Sequence, residues 1–188
     1  MKTANLAWLF MLCALLALLP VGDTNASRQG QTGRATIVPC DVRAYVTDQE
    51  PGGLNVRSGP GKTYKAIGNL PNQKVEGIGV HITGASGEWV RIDRAVEEGG
   101  EQERTFFQGD GWVYAPLLGV SGMAITDGGT NLYQGTTEKS RVIIRVPGGD
   151  DGVIVRGCQG QWMYVEYKKK KGWAAPDTLC ANSLTTCV

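Results

Sequence analysis

The segment Leu54-Asn55-Val56-Arg57-Ser58-Gly59-Pro60-Gly61 begins with alternating apolar and polar residues and then breaks into glycine and proline. Alternation with a period of two is typical of a half-buried β-strand. Proline lacks the backbone donor that a strand needs, and glycine accepts positive φ angles, so Gly59-Pro60-Gly61 cannot continue the strand. The segment therefore predicts a short strand followed by a long loop.

The same arrangement recurs later in the chain. Residues 53–56 (Gly-Leu-Asn-Val) align with residues 129–132 (Gly-Thr-Asn-Leu) at an offset of 76. Two tryptophans of each copy also align, at offsets of 73 and 61: Trp89 with Trp162, and Trp112 with Trp173. The fall from 73 to 61 places 12 extra residues within 93–110 of the first copy. That acidic, glycine-rich stretch predicts an enlarged hairpin tip, where insertions are well tolerated.

The remaining segments agree with an all-β fold. Residues 74–82 and 161–167 alternate in the same way and are bounded by glycine or proline, and no sustained 3.6-residue stripe follows residue 26. Gly87 and Gly160 precede tryptophans and predict short turns. The sequence thus predicts strands joined by turns, with at most short 3₁₀ segments.

The first copy resembles the bacterial SH3 (SH3b) domains, through residues 54–61, Tyr64 and the later Gly111-Trp112-Val113. The second copy is a degraded match, with Tyr133 where the first has Arg57. The resemblance covers about residues 41–179. It implies two tandem, partly open SH3-like β-barrels at 40–118 and 119–188, after a signal peptide at 1–26 and a flexible leader at 27–39.

The resemblance also implies a binding function. SH3-like folds hold extended peptides in a groove between their RT and n-Src loops, on aromatic side chains. The binding candidates are Tyr64, Trp89, Tyr114, Tyr133 and Trp162. Trp112 and Trp173 are better explained as core residues, and the first copy is the better candidate for binding.

Three classes of function remain open. The expected ligand of a binding module is a cell-wall peptide or glycan, or an extended segment of a partner protein. A structural or regulatory adaptor in the cell envelope is the alternative, and a secreted inhibitor or toxin is the third. The net charge of +1 gives no indication of nucleic-acid binding.

The N-terminus has the order of a signal peptide: Lys2, an apolar run over residues 6–19, then Pro20 and Gly22. The run is 14 residues, shorter than the roughly 20 that a membrane-spanning helix needs. We expect cleavage after Ala26, with an uncleaved anchor as the alternative. The mature protein is then expected to be secreted or periplasmic, without stable membrane insertion.

Four cysteines remain after the apolar run: Cys40, Cys158, Cys180 and Cys187. An even number in an exported chain favours disulfides, and zinc would require close pairs such as C-x-x-C, which are absent. Cys158 occupies the position of Ala85 in the first copy, and the n-Src loop lies near the 3₁₀ turn in this fold. The expected pairs are Cys158–Cys180 and Cys40–Cys187, although four cysteines permit three pairings.

Catalytic signals are weak. His81 is the one histidine and lies mid-strand, and no nucleophile elbow of the G-x-S-x-G type occurs. We therefore expect no catalytic residue, metal or cofactor. Lys168–Lys171 is best explained as a solvated hairpin turn, with contact to an anionic cell-wall polymer or phospholipid as the alternative.

Overall fold

A computed structural model describes residues 36–72, 77–99, 104–123, 129–182 and 184. The predicted signal peptide, most of the predicted leader and Cys187 lie outside these ranges. The strands are β1 (Val38–Val46), β2 (Leu54–Arg57), β3 (Ala66–Leu70), β4 (Ile78–Ser86), β5 (Trp89–Glu97), β6 (Thr105–Tyr114), β7 (Leu118–Gly122), β8 (Thr130–Tyr133), β9 (Val142–Val146), β10 (Val153–Gln159), β11 (Trp162–Tyr167), β12 (Lys170–Ala174) and β13 (Leu179–Cys180). A 3₁₀ turn at Ala115–Leu117 joins β6 to β7.

The strands form one continuous antiparallel path in the order β3-β2-β6-β5-β4-β1-β7-β10-β11-β12-β8-β9, with β13 paired to β7. No α-helix occurs in the described ranges. The predicted all-β, SH3-like fold is confirmed. The described sheet is open, however, because β3 and β9 at its two ends do not pair with each other.

Strand β7 is paired on both sides and connects two groups of strands. It pairs with β1 through Tyr45 opposite Gly119, and with β10 through Val153 opposite Val120. The pairings β1–β4 and β1–β7 recur as β7–β10 and β7–β13. We call β1–β7 the N-terminal set and β7–β13 the C-terminal set. Strand β7 belongs to both.

Each set has an inner face that forms the core and an outer face. In β5, Val90, Ile92 and Ala95 point inward and are fully buried. In β11 the inward residues are Met163, Val165 and Tyr167, and residues 162, 164 and 166 alternate with them on the outer face. Burying an aliphatic side chain contributes about 1.5–3 kcal/mol. Because side chains alternate along a strand, this inner burial fixes which residues reach the outer face.

Two turns occur at the glycines where the sequence predicted them. Gly87 (φ 59°) and Gly160 (φ 56°) begin two-residue turns, after β4 and β10 respectively. A type II′ hairpin turn takes glycine at that first central position because φ is positive there. Lys168 and Lys169 both have positive φ and form the turn between β11 and β12. The predicted lysine turn is thus confirmed for these two residues, whereas Lys170 and Lys171 belong to β12.

The additional residues of the first copy lengthen one hairpin. Strand β5 extends to Glu97 and β6 begins at Thr105, whereas β11 and β12 are joined at residues 168–169. The expected insertion within 93–110 thus lies in the β5–β6 hairpin. Phe107, in the added part of β6, packs against the core.

A disulfide joins Cys40 to Cys158, so the expected pairs Cys158–Cys180 and Cys40–Cys187 are both wrong. Strand β1 begins at Val38, inside the predicted leader, and its first residues run beside the turn after β10. The Asp41 amide donates to the Gly160 carbonyl at 2.8 Å, and the Gly160 amide donates to the Pro39 carbonyl at 2.9 Å. This local pairing brings Cys40 to Cys158. Cys180 is also disulfide-bonded.

Candidate functional site

Aromatic side chains occupy the outer face of the C-terminal set. Tyr133 on β8 is paired with Trp173 on β12, and Trp173 is paired with Tyr164 on β11. Residues paired across neighbouring strands project from the same face of a sheet. Val142 on β9 is paired with Tyr133 and extends the row by one strand. We call Val142, Tyr133, Trp173 and Tyr164 the C-terminal rung.

Trp162 completes this surface. It lies two residues before Tyr164 on β11 and therefore on the same face. Its ring centroid is 6.1 Å from that of Tyr133, at an interplanar angle of 75°. The rings of Tyr164 and Trp173 are 4.9 Å apart and tilted by 40°. We call Tyr133, Trp162, Tyr164 and Trp173 the aromatic face. All four are half-buried.

The equivalent positions of the N-terminal set carry arginines in place of two of the aromatic side chains. Arg57 is paired with Ala66 and Trp112, and Trp112 with Arg91. These four residues form the N-terminal rung. Trp112 is only 6% exposed, as expected of a buried residue, but it lies on the outer face with Arg57 and Arg91 and not in the core cluster. Arg57 donates to the Tyr64 carbonyl at 2.8 Å, and the Nε of Arg91 donates to the Thr83 hydroxyl at 3.0 Å.

Trp89 and Tyr114 form a separate aromatic pair. They are paired across β5 and β6, and their ring centroids are 5.5 Å apart. The Tyr114 hydroxyl donates to Glu88 at 3.3 Å. Burial and the nearby Glu88 carboxylate raise the pKa of Tyr114. Two of the five binding candidates predicted from the sequence therefore lie side by side in the structure.

Tyr64 lies apart from both aromatic groups. Its ring covers the Gly59 and Gly61 backbone, where a Cβ on Gly59 would collide with it. The side chain is nevertheless 45% exposed. The structure thus groups the five predicted residues as the pair Trp89–Tyr114, the pair Tyr133–Trp162 and an isolated Tyr64.

Two residues of the aromatic face were missed by sequence reasoning. Trp173 was assigned to the core with Trp112, but it is half-buried on the outer face. Tyr164 was not singled out. Its position two residues after Trp162 was the available signal, because a period of two places both on one face. The same alignment that pairs Trp89 with Trp162 places Tyr164 at the position of Arg91.

His81 is held between two carboxylates. Its Nδ1 lies 2.8 Å from Asp93 and its Nε2 lies 2.8 Å from Asp41. The hydrogen bond to Asp41 is the largest cause that raises the pKa of His81, and Asp93 adds to it, against the opposing effect of burial. Both ring nitrogens are thus occupied by carboxylates. Within the described ranges no group of three or more potential ligands is arranged to hold a metal ion.

This arrangement makes stability depend on pH. A protonated ring can donate to both carboxylates, so folding favours the charged form, and the pKa of His81 is higher folded than unfolded. Its stabilising contribution is complete below the unfolded pKa of about 6.5. We expect the free energy of unfolding to decrease as the pH rises through the folded pKa. Urea denaturation between pH 5 and pH 9 measures this decrease.

The His81→Gln variant provides the control for the pH experiment. The chain has one histidine, so the variant should show a flatter profile over the same range. Asp41→Asn, which removes the largest cause of the raised pKa, should flatten the profile in part. Equal slopes in the wild type and His81→Gln would exclude a contribution from this histidine.

The lysine turn is tied to its own hairpin. The Lys168 ammonium lies 4.8 Å from the centroid of the Tyr167 ring, and the Tyr167 hydroxyl donates to Asp150 at 2.6 Å. Lys171 lies 3.9 Å from Glu166. Two of the four lysines are therefore engaged within the C-terminal set. No described helix is long and apolar enough to span a membrane.

Comparison with known proteins gives one family match. Residues 52–119 match the model of the bacterial SH3 domain, a range that runs from just before β2 into β7. The resemblance is thereby confirmed for the first copy. For the second copy it remains a prediction. A search of curated proteins found no match to this sequence.

Two solved structures show a distant likeness. They are NlpC2 and NlpC1 from Trichomonas vaginalis, at 17% and 14% identity and a TM-score of 0.28 for each. Each match covers 75% of this chain, and covers 48% and 46% of those chains. The matched part thus corresponds to about half the length of either structure. A likeness of this size supports no conclusion about function.

Proposed function

We propose that this protein is an exported, non-catalytic binding module of two SH3b-type units that share strand β7. Its ligand is a cell-wall polymer, which it holds on aromatic side chains. The bacterial SH3 match over residues 52–119 supports the class of protein. The Cys40–Cys158 disulfide supports a location outside the cytoplasm, since structural disulfides persist in oxidising compartments.

The second unit is supported by sequence and pairing together. The two rungs are related by the offsets of the repeat. Adding 76, 76, 61 and 73 gives the C-terminal rung, in the same order, from Ala66, Arg57, Trp112 and Arg91 of the N-terminal rung. These offsets follow from the aligned sequence motifs. The strand pairings independently connect the same positions within each set. Units at about 40–118 and 119–188 account for both.

The aromatic face is the observation that carries the proposed function. Four half-buried rings adjoin on one face of three paired strands. Residues of this kind dominate the energy of binding surfaces, where truncating a central tryptophan or tyrosine costs about 2 kcal/mol or more. The corresponding face of the first unit has arginines at two of these positions. Of the two units, the second therefore has the larger aromatic surface.

Binding to purified, insoluble cell-wall material tests the proposal. We expect the full-length mature protein to sediment with it. Trp162→Ala should weaken retention about 30-fold, the equivalent of about 2 kcal/mol. Tyr64→Ala is the matched control, because that aromatic residue is exposed but lies outside the aromatic face, and it should retain wild-type binding.

The adaptor alternative is supported by the two ends of the sheet. Val142 on β9 and Ile67 on β3 are exposed, and among the described residues their strands pair on one side only. Such edges can accept a strand from another chain. Absence of retention on cell-wall material, together with a stoichiometric complex with one envelope protein, would favour this function over polymer binding.

A further inference from the structure

We infer that the aromatic face binds the uncharged sugar residues of a glycan strand, rather than a charged peptide. The inference rests on the proposed function and specifies which component of the cell-wall polymer the second unit recognises. It concerns Tyr133, Trp162, Tyr164 and Trp173.

The shape of the surface provides the first argument. Trp162 and Tyr164 follow one another along β11, while Trp173 and Tyr133 extend across β12 and β8. Neighbouring strands are about 4.8 Å apart, so the surface is about two strand spacings wide. The C–H faces of pyranose rings are apolar and flat. They can therefore lie against aromatic rings, which expose large areas at a low cost in side-chain entropy.

The edges of the rings provide the second argument. Each of the four residues carries one polar group, a phenol hydroxyl or an indole N–H. In the part of the chain that the structure describes, none of these four groups makes a side-chain hydrogen bond. Buried tyrosine and tryptophan usually have a partner for this group, and they are enriched where one end is apolar and the other is wet. Sugar hydroxyls and acetamido groups supply the donors and acceptors that fit these groups.

The charges provide the third argument. Arg156 lies 2.9 Å from Glu166 and 3.8 Å from Glu88, and Glu166 also contacts Lys171. Two cations and two anions thus compensate one another beside the face. A charged peptide would therefore find the charges of this group already paired, and it would lose hydration on binding. A neutral ligand avoids that loss.

The first unit provides a comparison within the same chain. Arg57 and Arg91 occupy the positions of Tyr133 and Tyr164, and among the described residues neither lies within 4 Å of a carboxylate oxygen. The two units therefore differ in charge at equivalent positions. This difference makes the N-terminal rung a suitable control for the neutral ligand.

Titration of the full-length mature protein with a defined oligosaccharide tests the inference. The probe is the hexamer of β-1,4-linked N-acetylglucosamine, which has neither charge nor peptide, and the comparison ligand is the peptide Ala-Glu-Lys-Ala. Calorimetry should show tighter binding of the hexamer than of the peptide. Trp173→Ala should weaken hexamer binding at least tenfold, whereas Arg57→Ala should change it less than twofold.

A double variant tests the hydroxyl groups without removing a ring, so that weaker binding would not be due to a folding defect. Tyr133→Phe and Tyr164→Phe retain the rings and remove only the hydroxyls, and together they should weaken hexamer binding about threefold to tenfold. Unchanged binding in both Trp173→Ala and the double Tyr variant would overturn the inference.

The outcomes separate this inference from the proposed function. Retention on cell-wall material with no hexamer binding, or with tighter binding of the peptide, would overturn the glycan inference and leave the proposed function standing. Loss of both kinds of binding would overturn both. Hexamer binding that depends on Trp173 would support both.

Discussion

Replacing Cys40 and Cys158 together with alanine is expected to lower the free energy of unfolding by about 4–5 kcal/mol. The bridge joins residues that are 118 positions apart, so its loss frees a long loop in the unfolded chain. Alanine suits the site because Ala85 occupies the position of Cys158 in the first copy. For a chain of this size the change corresponds to a fall in melting temperature of about 10–15 °C.

Thermal unfolding under oxidising and reducing conditions measures this effect. Reduction should destabilise the wild type by at least as much as the double substitution. In the double variant, any remaining response to reductant is due to the bridge that involves Cys180. A double variant that melts within 2 °C of the wild type would show that the Cys40–Cys158 bridge does not constrain the chain.

The second large effect is expected at two equivalent glycines. Gly53 (φ 67°) precedes β2 and Gly129 (φ 79°) precedes β8, at the offset of 76 that relates the two copies. A Cβ at Gly53 would collide with the carbonyl of Leu70, and one at Gly129 with the carbonyl of Val146. Left-handed backbone costs an L-residue about 1–2 kcal/mol, and steric strain adds about 1–3 kcal/mol. Gly53→Ala and Gly129→Ala should each lower the free energy of unfolding by about 3 kcal/mol.

Gly52→Ala is the matched control for both glycine variants. No atom lies within 4 Å of a Cβ at Gly52, and its φ is not in the left-handed region. Urea denaturation should place this variant within about 0.5 kcal/mol of the wild type. If Gly52→Ala and Gly53→Ala were equally stable, the proposed clash with Leu70 would be excluded.

Much of the local structure could be predicted because its causes are local. The strand and loop at residues 54–61 follow from alternation and from the backbone limits of glycine and proline. The two-residue turns at Gly87 and Gly160 follow for the same reason. The 12-residue insertion was placed in the correct hairpin because aligned tryptophans bracket it.

The disulfide could not be predicted, because its cause is a contact between distant segments. The start of β1 pairs with the turn after β10. Nothing within residues 38–41 encodes that neighbour, and comparison of the two copies could not reveal it, because the aligned motifs begin at residue 53, after β1. The expected pairings relied on the position of the tail instead. Trp173 was misassigned for a related reason, since its burial depends on its lateral neighbours Tyr133 and Tyr164 rather than on its own strand.

The sequence alone determined an all-β chain, the positions of its turns and a repeat whose offsets match the observed strand pairings. These features depend on φ limits, side-chain alternation and the spacing of equivalent residues, all of which operate over a few residues. Only the tertiary structure decided that β7 serves both strand sets, that Cys40 meets Cys158 and that four rings adjoin on one face. Each of these depends on which strands become neighbours. Neighbour choice is set by the burial of the whole inner face, which no single segment of sequence specifies.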